Sequence, residues 1–261
     1  MSIKIAVVQM PIIPGEPDMN RRKALDMTAE ALAGGADIVL LPEGMLMGYT
    51  SRMPDLAEPV NGPTTQAFQS LLAGSRAMVL YGLTERANYD CYLAATLVGA
   101  GGVMAHYRKT HLWWASDGLR EEAAFFKPGH HLTTFDVKGF KAGVMICYDG
   151  DFPELTRTYA TMGCSMVFWM NNRGSRGHGE TAPLSLANSM IMAASCPCGK
   201  DEADRPCGGG SNITGPYGNL LAEIWNDEGV IYADVDPQAA LDHRKSNPWY
   251  RGRRRELYRQ L

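Results

Sequence analysis

The chain opens with Ile-Lys-Ile-Ala-Val-Val-Gln over residues 3–9, apolar at nearly every position, which predicts a first strand. Residues 20–33 change to a helical period, with Leu25, Ala29 and Leu32 on one face and Gly34-Gly35 as the stop. Strands are then predicted at 38–41 and 78–83, with a helix near 64–75 between them. Residues 92–99 and 102–107 flank a Gly-Ala-Gly turn and read as a hairpin. The second half repeats the alternation. Residues 141–146 and 166–170 are strand-like. A helix runs from about 153 to 162, with Asp151 as its N-cap and Glu154 as the third helical residue. Residues 182–194 read as a helix with a buried face. Short strands follow at 212–214, 220–224 and 230–235, with Gly215-Pro-Tyr-Gly218 as a turn. Two stretches, 174–180 and 199–211, look irregular. Several strands are apolar on both faces, as when helices cover a sheet. The pattern predicts one α/β domain spanning residues 1–261.

Composition adds mostly exclusions. The 261 residues are 45% hydrophobic and 20% charged, as in a globular protein able to bury a core without staples. A net charge of −3 predicts attraction neither to nucleic acid nor to membranes, and no apolar run reaches the length of a span. The N-terminal stretch reads as a strand rather than a signal peptide, so a cytoplasmic protein is expected. Disulfides are not expected there, although six cysteines are present. Cys196, Cys198 and Cys207 have a spacing that matches no common zinc site, with no obvious fourth ligand, so no metal is expected.

Three reactive groups share one local setting. Glu43, Lys109 and Cys147 each stand just past a predicted strand, and in α/β proteins ligand chemistry gathers at the carboxyl ends of strands. A thiol becomes a useful nucleophile beside a base. Glu43 can take its proton if burial raises the carboxylate pKa. Lys109, with the backbone N–H of Tyr148, can stabilise an oxyanion. Taken singly, Cys147 also fits a core cysteine, Glu43 a solvated turn residue and Lys109 a surface charge.

The wording around these residues resembles the nitrilase superfamily of carbon–nitrogen hydrolases. Leu40-Leu-Pro-Glu-Gly44 is similar to the segment carrying the family's catalytic glutamate, and Tyr107-Arg-Lys-Thr-His-Leu112 to that carrying its lysine. Gly143-Val-Met-Ile-Cys-Tyr-Asp149 with Phe152-Pro-Glu154 is similar to the nucleophile segment. The order and spacing agree, and Ile5-Ala-Val-Val-Gln9 and Gly208-Gly-Gly-Ser211 extend the match over almost the whole chain. The resemblance implies a four-layer α-β-β-α sandwich, no metal and no organic cofactor. It implies Glu43 as general base, Lys109 as oxyanion stabiliser and Cys147 as nucleophile. A further family glutamate matches Glu122, ahead of Phe126-Lys-Pro-Gly129, with Glu121 as the neighbouring alternative.

The implied reaction is hydrolysis of a small carboxamide to acid and ammonia through a thioester on Cys147. Tyr148-Asp149 stands where true nitrilases carry Trp-Glu, which points to the amidase and carbamoylase branches rather than to nitriles. Gly150 and Asp151 stand where D-amino-acid carbamoylases carry arginines. An N-carbamoyl amine substrate, acyl transfer from the same thioester, and an idle interaction module remain as other readings. Tyr49, Tyr148, Asn171 and Arg173 are candidate substrate contacts, and Trp113-Trp114 fits either a pocket wall or the core. His178, in a glycine-rich loop, fits a lid residue but is expected to be solvent-exposed. The resemblance implies a homodimer or higher homo-oligomer, and the basic run Arg251-Gly-Arg-Arg-Arg255 is read as a tail pairing with acidic residues across such an interface rather than as a nucleic-acid contact.

Overall fold

The computed structural model describes residues 2–50, 52–114, 121–172 and 177–258. The first half runs β1 (Ile3–Gln9), α1 (Pro17–Ala33), β2 (Ile38–Leu40), α2 (Pro63–Leu71), β3 (Met78–Ala87), β4 (Asp90–Gly99) and β5 (Gly102–Arg108). A short helix, α3 (Glu122–Phe125), leads into β6 (Thr134–Val137), β7 (Phe140–Ile146), α4 (Pro153–Thr161), β8 (Met166–Met170), α5 (His178–Asn188) and β9 (Ile191–Ser195). The chain ends with β10 (Ser211–Thr214), β11 (Leu220–Ile224), β12 (Gly229–Val235), α6 (Pro237–Ser246) and α7 (Pro248–Arg251).

These strands form two six-stranded sheets, ordered β12-β1-β2-β3-β4-β5 and β11-β10-β9-β8-β7-β6. Each sheet has a parallel centre, β1-β2-β3 in one and β7-β8-β9 in the other. Parallel neighbours need long crossovers, and α1, α2, α4 and α5 supply them.

Alternation along the strands sorts the side chains into layers. In β1, Ile3, Ile5 and Val7 point into a core between the sheets, while Ala6 and Val8 point to a second core that also holds Ala24, Met27 and Ala31 of α1 and Phe68 of α2. In β8, Met166, Phe168 and Met170 enter the middle core, while Val167 and Trp169 pack with Leu155 and Tyr159 of α4 in a third. Both faces of each central strand are therefore buried, and helices lie outside each sheet. That is the α-β-β-α sandwich, and the two-sided burial is why these strands are apolar throughout. Burying each large side chain contributes about 1.5–3 kcal/mol.

Three sequence expectations need correction. The helix expected over 182–194 ends at Asn188, Ser189 takes a left-handed conformation (φ 49°), and Ile191–Ser195 is a strand parallel to β8. A short apolar run buried on both sides has no period that separates helix from strand. On α1 the buried positions are Asn20, Ala24, Met27, Thr28 and Ala31, whereas Leu25 and Leu32 are half-buried and Ala29 is exposed. Asn20 fixes the inward face: its Nδ2 donates to the carbonyls of Ile13 and Leu46 at 2.7 and 3.0 Å, and its Oδ1 accepts from the Ile13 amide at 2.8 Å. Asp151 does not cap α4. The N-cap is Phe152, with no side-chain hydrogen bond, and Pro153 opens the helix without an N–H to satisfy. Finally, β6 and α6 carry no sequence pattern strong enough to predict.

Candidate active site

Three strand ends deliver the reactive groups. After β2 the backbone leaves the sheet through Leu41 and Pro42, and Glu43 rests against β3 at Gly82. A Cβ on Gly82 would lie 2.7 Å from the Pro42 oxygen and 2.9 Å from the Glu43 Cα, so only glycine allows this approach. Lys109 follows β5 directly. Its amide bonds the Leu93 carbonyl at 2.8 Å and its carbonyl accepts from Gly129 at 2.7 Å, so the residue starts inside the sheet frame. Cys147 follows β7 and begins a 3-10 turn, Cys147–Asp151, with φ at +45°. That left-handed conformation is strained for a residue with a Cβ. Trp169 Nε1 donates to the Cys147 carbonyl at 3.0 Å. Gly150 makes room for that indole: a Cβ there would lie 2.1 Å from the ring.

The side chains converge. Lys109 Nζ lies 2.9 Å from Glu43 Oε1 and 2.7 Å from Glu122 Oε1. Cys147 lies close enough to the Glu43 carboxylate to lower its pKa, and the buried Oε2 of Glu43 has no hydrogen-bond partner among the described residues. Tyr49 donates its hydroxyl to Glu122 Oε1 in a short hydrogen bond and lies 3.3 Å from Glu43 Oε1. Glu122 Oε2 accepts from the Trp113 amide at 2.8 Å. Glu43, Lys109 and Glu122 are each at most 2% exposed and Cys147 is 8% exposed, so these groups interact with little water between them.

Burial decides the protonation states. It raises the Glu43 pKa; the Lys109 ammonium opposes this and the Glu122 charge adds to it, leaving a carboxylate more basic than usual. Burial alone would lower the Lys109 pKa, but Glu43, Cys147 and Glu122 outweigh it and hold the group above its ordinary value, as an ammonium. Burial, then Glu122 and Glu43, push Tyr49 well above the phenol range, so it remains a hydrogen-bond donor. A basic carboxylate, a thiol beside it and a fixed cation can deprotonate a nucleophile and stabilise an oxyanion.

Glu122, not Glu121, is the glutamate against Lys109. Tyr49 lies inside the cluster. Tyr148 is half-buried; its ring meets Trp113 edge-on at 4.9 Å, and its hydroxyl accepts from Trp114 Nε1 at 3.1 Å. Asn171 immediately follows β8 and is buried, donating Nδ2 to the Trp169 carbonyl at 3.3 Å. Its Oδ1 has no hydrogen-bond partner among the described residues. Arg173 lies outside the described residues. His178 is half-buried rather than exposed: its Nε2 sits 2.8 Å from the Gly218 carbonyl and its amide bonds Glu223 Oε1 at 2.8 Å, which anchors the start of α5. Cys196 and Cys198 are buried and Cys207 half-buried; no described group of His, Cys, Asp or Glu is arranged to hold a metal ion. In the basic tail, Arg254 pairs with Glu256 and Arg253 lies over the Tyr250 ring.

Sequence reasoning missed Asp149. It is fully buried two residues past Cys147, with Tyr107, Thr110 and His111 of the lysine segment around its carboxylate. The available signal was that two separate motifs each carry its partners.

A sequence model of the carbon–nitrogen hydrolase family matches residues 4–244. Human omega-amidase NIT2 is 29% identical over 268 aligned residues, covering 98% of this chain and 97% of that protein. The 2-oxoglutaramate amidase of Bacillus subtilis is 29% identical, covering 99% of this chain and all of that one. Among solved structures, an amidase of the nitrilase superfamily from Nesterenkonia superposes with a TM-score of 0.84 at 24% identity, covering 99% of this chain and 96% of that one.

Proposed function

The chain belongs to the carbon–nitrogen hydrolase family, and from that premise we propose that it is a thiol amidohydrolase converting a small carboxamide into a carboxylic acid and ammonia. The observation that carries the reading is the buried cluster in which one lysine bridges two glutamates, with Cys147 close enough to shift the pKa values of Glu43 and Lys109. The similarity to proteins named omega-amidase and 2-oxoglutaramate amidase supports amides as the substrate class.

In this reading the reaction has two halves. Glu43 accepts the thiol proton as Cys147 sulfur attacks the amide carbon. The oxyanion is held by the Lys109 ammonium and the Tyr148 N–H. Glu43 then protonates the nitrogen, the C–N bond breaks, ammonia leaves and a thioester remains. Water enters, Glu43 takes its proton, the hydroxide adds to the thioester, and the C–S bond breaks with the proton returned to sulfur. Glu122 keeps Lys109 aimed through the 2.7 Å contact and holds the Trp113 backbone beside it. Tyr49 and Asn171 are the substrate-facing polar groups of this reading, joined by Tyr148 and Arg173. The raised Glu43 pKa makes the carboxylate a stronger base. The whole chain acts as one domain, with no cofactor taking part.

The test is ammonia release over aliphatic amides, ω-amides, N-carbamoyl amines and nitriles, followed across pH. Carboxamides should be turned over, and kcat/KM should fall on acidification through a pKa above the ordinary glutamate range, because protonated Glu43 cannot accept the thiol proton. A preference for nitriles would overturn the branch, and an acid limb at or below about 4 would remove Glu43 as the base.

The reading also includes a cytoplasmic homodimer. No helix among the described residues is long and apolar enough to cross a membrane. Trp249, Leu257 and Tyr258 are 58%, 60% and 48% exposed near the C-terminus, an apolar surface that a second copy would cover. Light scattering that returned the mass of a single chain would remove the dimer.

A further inference from the structure

We propose that Asp149 is a positioning residue, a buried clamp that holds the nucleophile turn in register with the lysine segment; the catalytic meaning of the clamp rests on the amidase reading above. The carboxylate is fully buried, and donors from both segments meet on it. From the lysine side, Tyr107 donates its hydroxyl to Oδ2 at 2.7 Å, Thr110 its hydroxyl to Oδ1 at 3.0 Å and His111 its amide to Oδ1 at 3.0 Å. His111 Nδ1 lies 2.9 Å from Oδ1 as well. From the nucleophile side, the Ile146 amide donates to Oδ2 at 2.9 Å. These donors flank the two reactive residues: Tyr107 and His111 stand two positions on either side of Lys109, and Ile146 immediately precedes Cys147.

The turn needs such a fixture. Cys147 sits at φ +45°, a conformation that persists only where its surroundings over-determine it. Asp149 fixes the residue just before the thiol, and Trp169 fixes the carbonyl just after it. The same carboxylate then ties that turn to the segment carrying the ammonium. Burial and the charge of Asp149 push the Tyr107 hydroxyl above its ordinary pKa, so it stays a donor. His111 stacks on Phe152 at 3.9 Å between ring centres, which joins the lysine segment to the N-cap residue of α4. Nothing places Asp149 in contact with substrate. It acts through where it puts sulfur relative to nitrogen.

The test compares Tyr107→Phe and Asp149→Asn with Tyr159→Phe. Tyr159 is a control because its buried hydroxyl donates to the Val144 carbonyl of β7, the strand that ends at Ile146, and not to the Asp149 carboxylate. Three quantities are measured: Tm, kcat and KM on a carboxamide that the wild type hydrolyses, and the rate of iodoacetamide alkylation at Cys147, read by peptide mass. A reacting atom displaced by about 1 Å can cost about 100-fold. Tyr107→Phe, which removes one donor, is expected to lower kcat by about tenfold, and Asp149→Asn by about 100-fold. KM should stay within about threefold, alkylation should slow in both, and Tyr159→Phe should leave kcat and alkylation within about twofold. A Tyr107→Phe protein with Tm lowered as in the control but with kcat and alkylation unchanged would make Asp149 a packing residue only. A loss confined to KM would overturn the proposal equally. If Asp149→Asn does not fold, Tyr107→Phe decides alone. If no amide is turned over by the wild type, the amidase reading fails while the alkylation rates still test the clamp.

Discussion

A Cys147→Ala protein is expected to fold like the wild type and to hydrolyse its amide at least about 10,000-fold more slowly, as when an acyl-transfer nucleophile is removed elsewhere. Without sulfur no thioester forms. Glu43 and Lys109 remain, but they can only assist direct attack by water on the amide, a far poorer reaction. The fold should tolerate the change. Cys147 follows a strand at the edge of the core between the sheets, and deleting one sulfur leaves a small void costing about 1 kcal/mol. The left-handed φ is as strained for alanine as for cysteine, so the backbone neither gains nor loses. Initial rates of ammonia release and a thermal melt check both halves. An undiminished rate would mean that another group attacks the amide, and the role given to Cys147 would be withdrawn.

The largest expected loss of stability lies away from the cluster, at Arg244 on α6. The residue is only 7% exposed, and its guanidinium donates to four carbonyls: Asn188 at 3.1 Å, Ala160 at 3.0 Å, Cys164 at 2.5 Å and Ser189 at 3.1 Å. These carbonyls lie at the ends of α4 and α5 and in the turns that follow. Helix ends leave their last carbonyls without partners inside the helix, and a cation there also meets the negative end of the dipole. One planar group with five donors therefore closes two helix termini and pins α6 to them. Burial lowers the Arg244 pKa, yet a guanidinium remains charged. Arg244→Met keeps much of the volume and removes every donor, leaving buried acceptors unsatisfied. The expected cost is roughly 3–5 kcal/mol, or a Tm lower by about 6–20 °C for a chain of this size. Arg244→Lys should recover only part of it, since one ammonium cannot match the fork. Denaturant melts of both variants measure the effect, and an Arg244→Met protein within 1 kcal/mol of the wild type would show that solvent reaches those carbonyls.

Much of the site was legible before any coordinates. Glu43, Lys109 and Cys147 are reactive residues that each end an apolar run, and a strand end is a place the sequence announces through the run itself. The cores between and outside the sheets follow from the same property, since strands apolar on both sides must be covered on both sides. Other features were beyond reading. The choice between Glu121 and Glu122 depends on which side of a one-turn helix faces Lys109, and α3 is too short to show a period. The end of α5 was hidden because residues 190–194 are buried in the third and middle cores alike. No sequence motif marks Arg244, and its role appears only when carbonyls 55–84 positions away close around it.

The amino-acid sequence by itself determined most of the alternation of strands and helices, the placement of Glu43, Lys109 and Cys147 just past strands and the family to which these segments point, because these depend on local order and on residue chemistry. Tertiary structure alone decided that Lys109 is clamped between Glu43 and Glu122, that Asp149 joins the nucleophile turn to the lysine segment, and that burial raises the basicity of Glu43. Each of those outcomes depends on how far water is excluded and on distances between groups remote along the chain, and neither quantity exists until the two sheets have closed over one another.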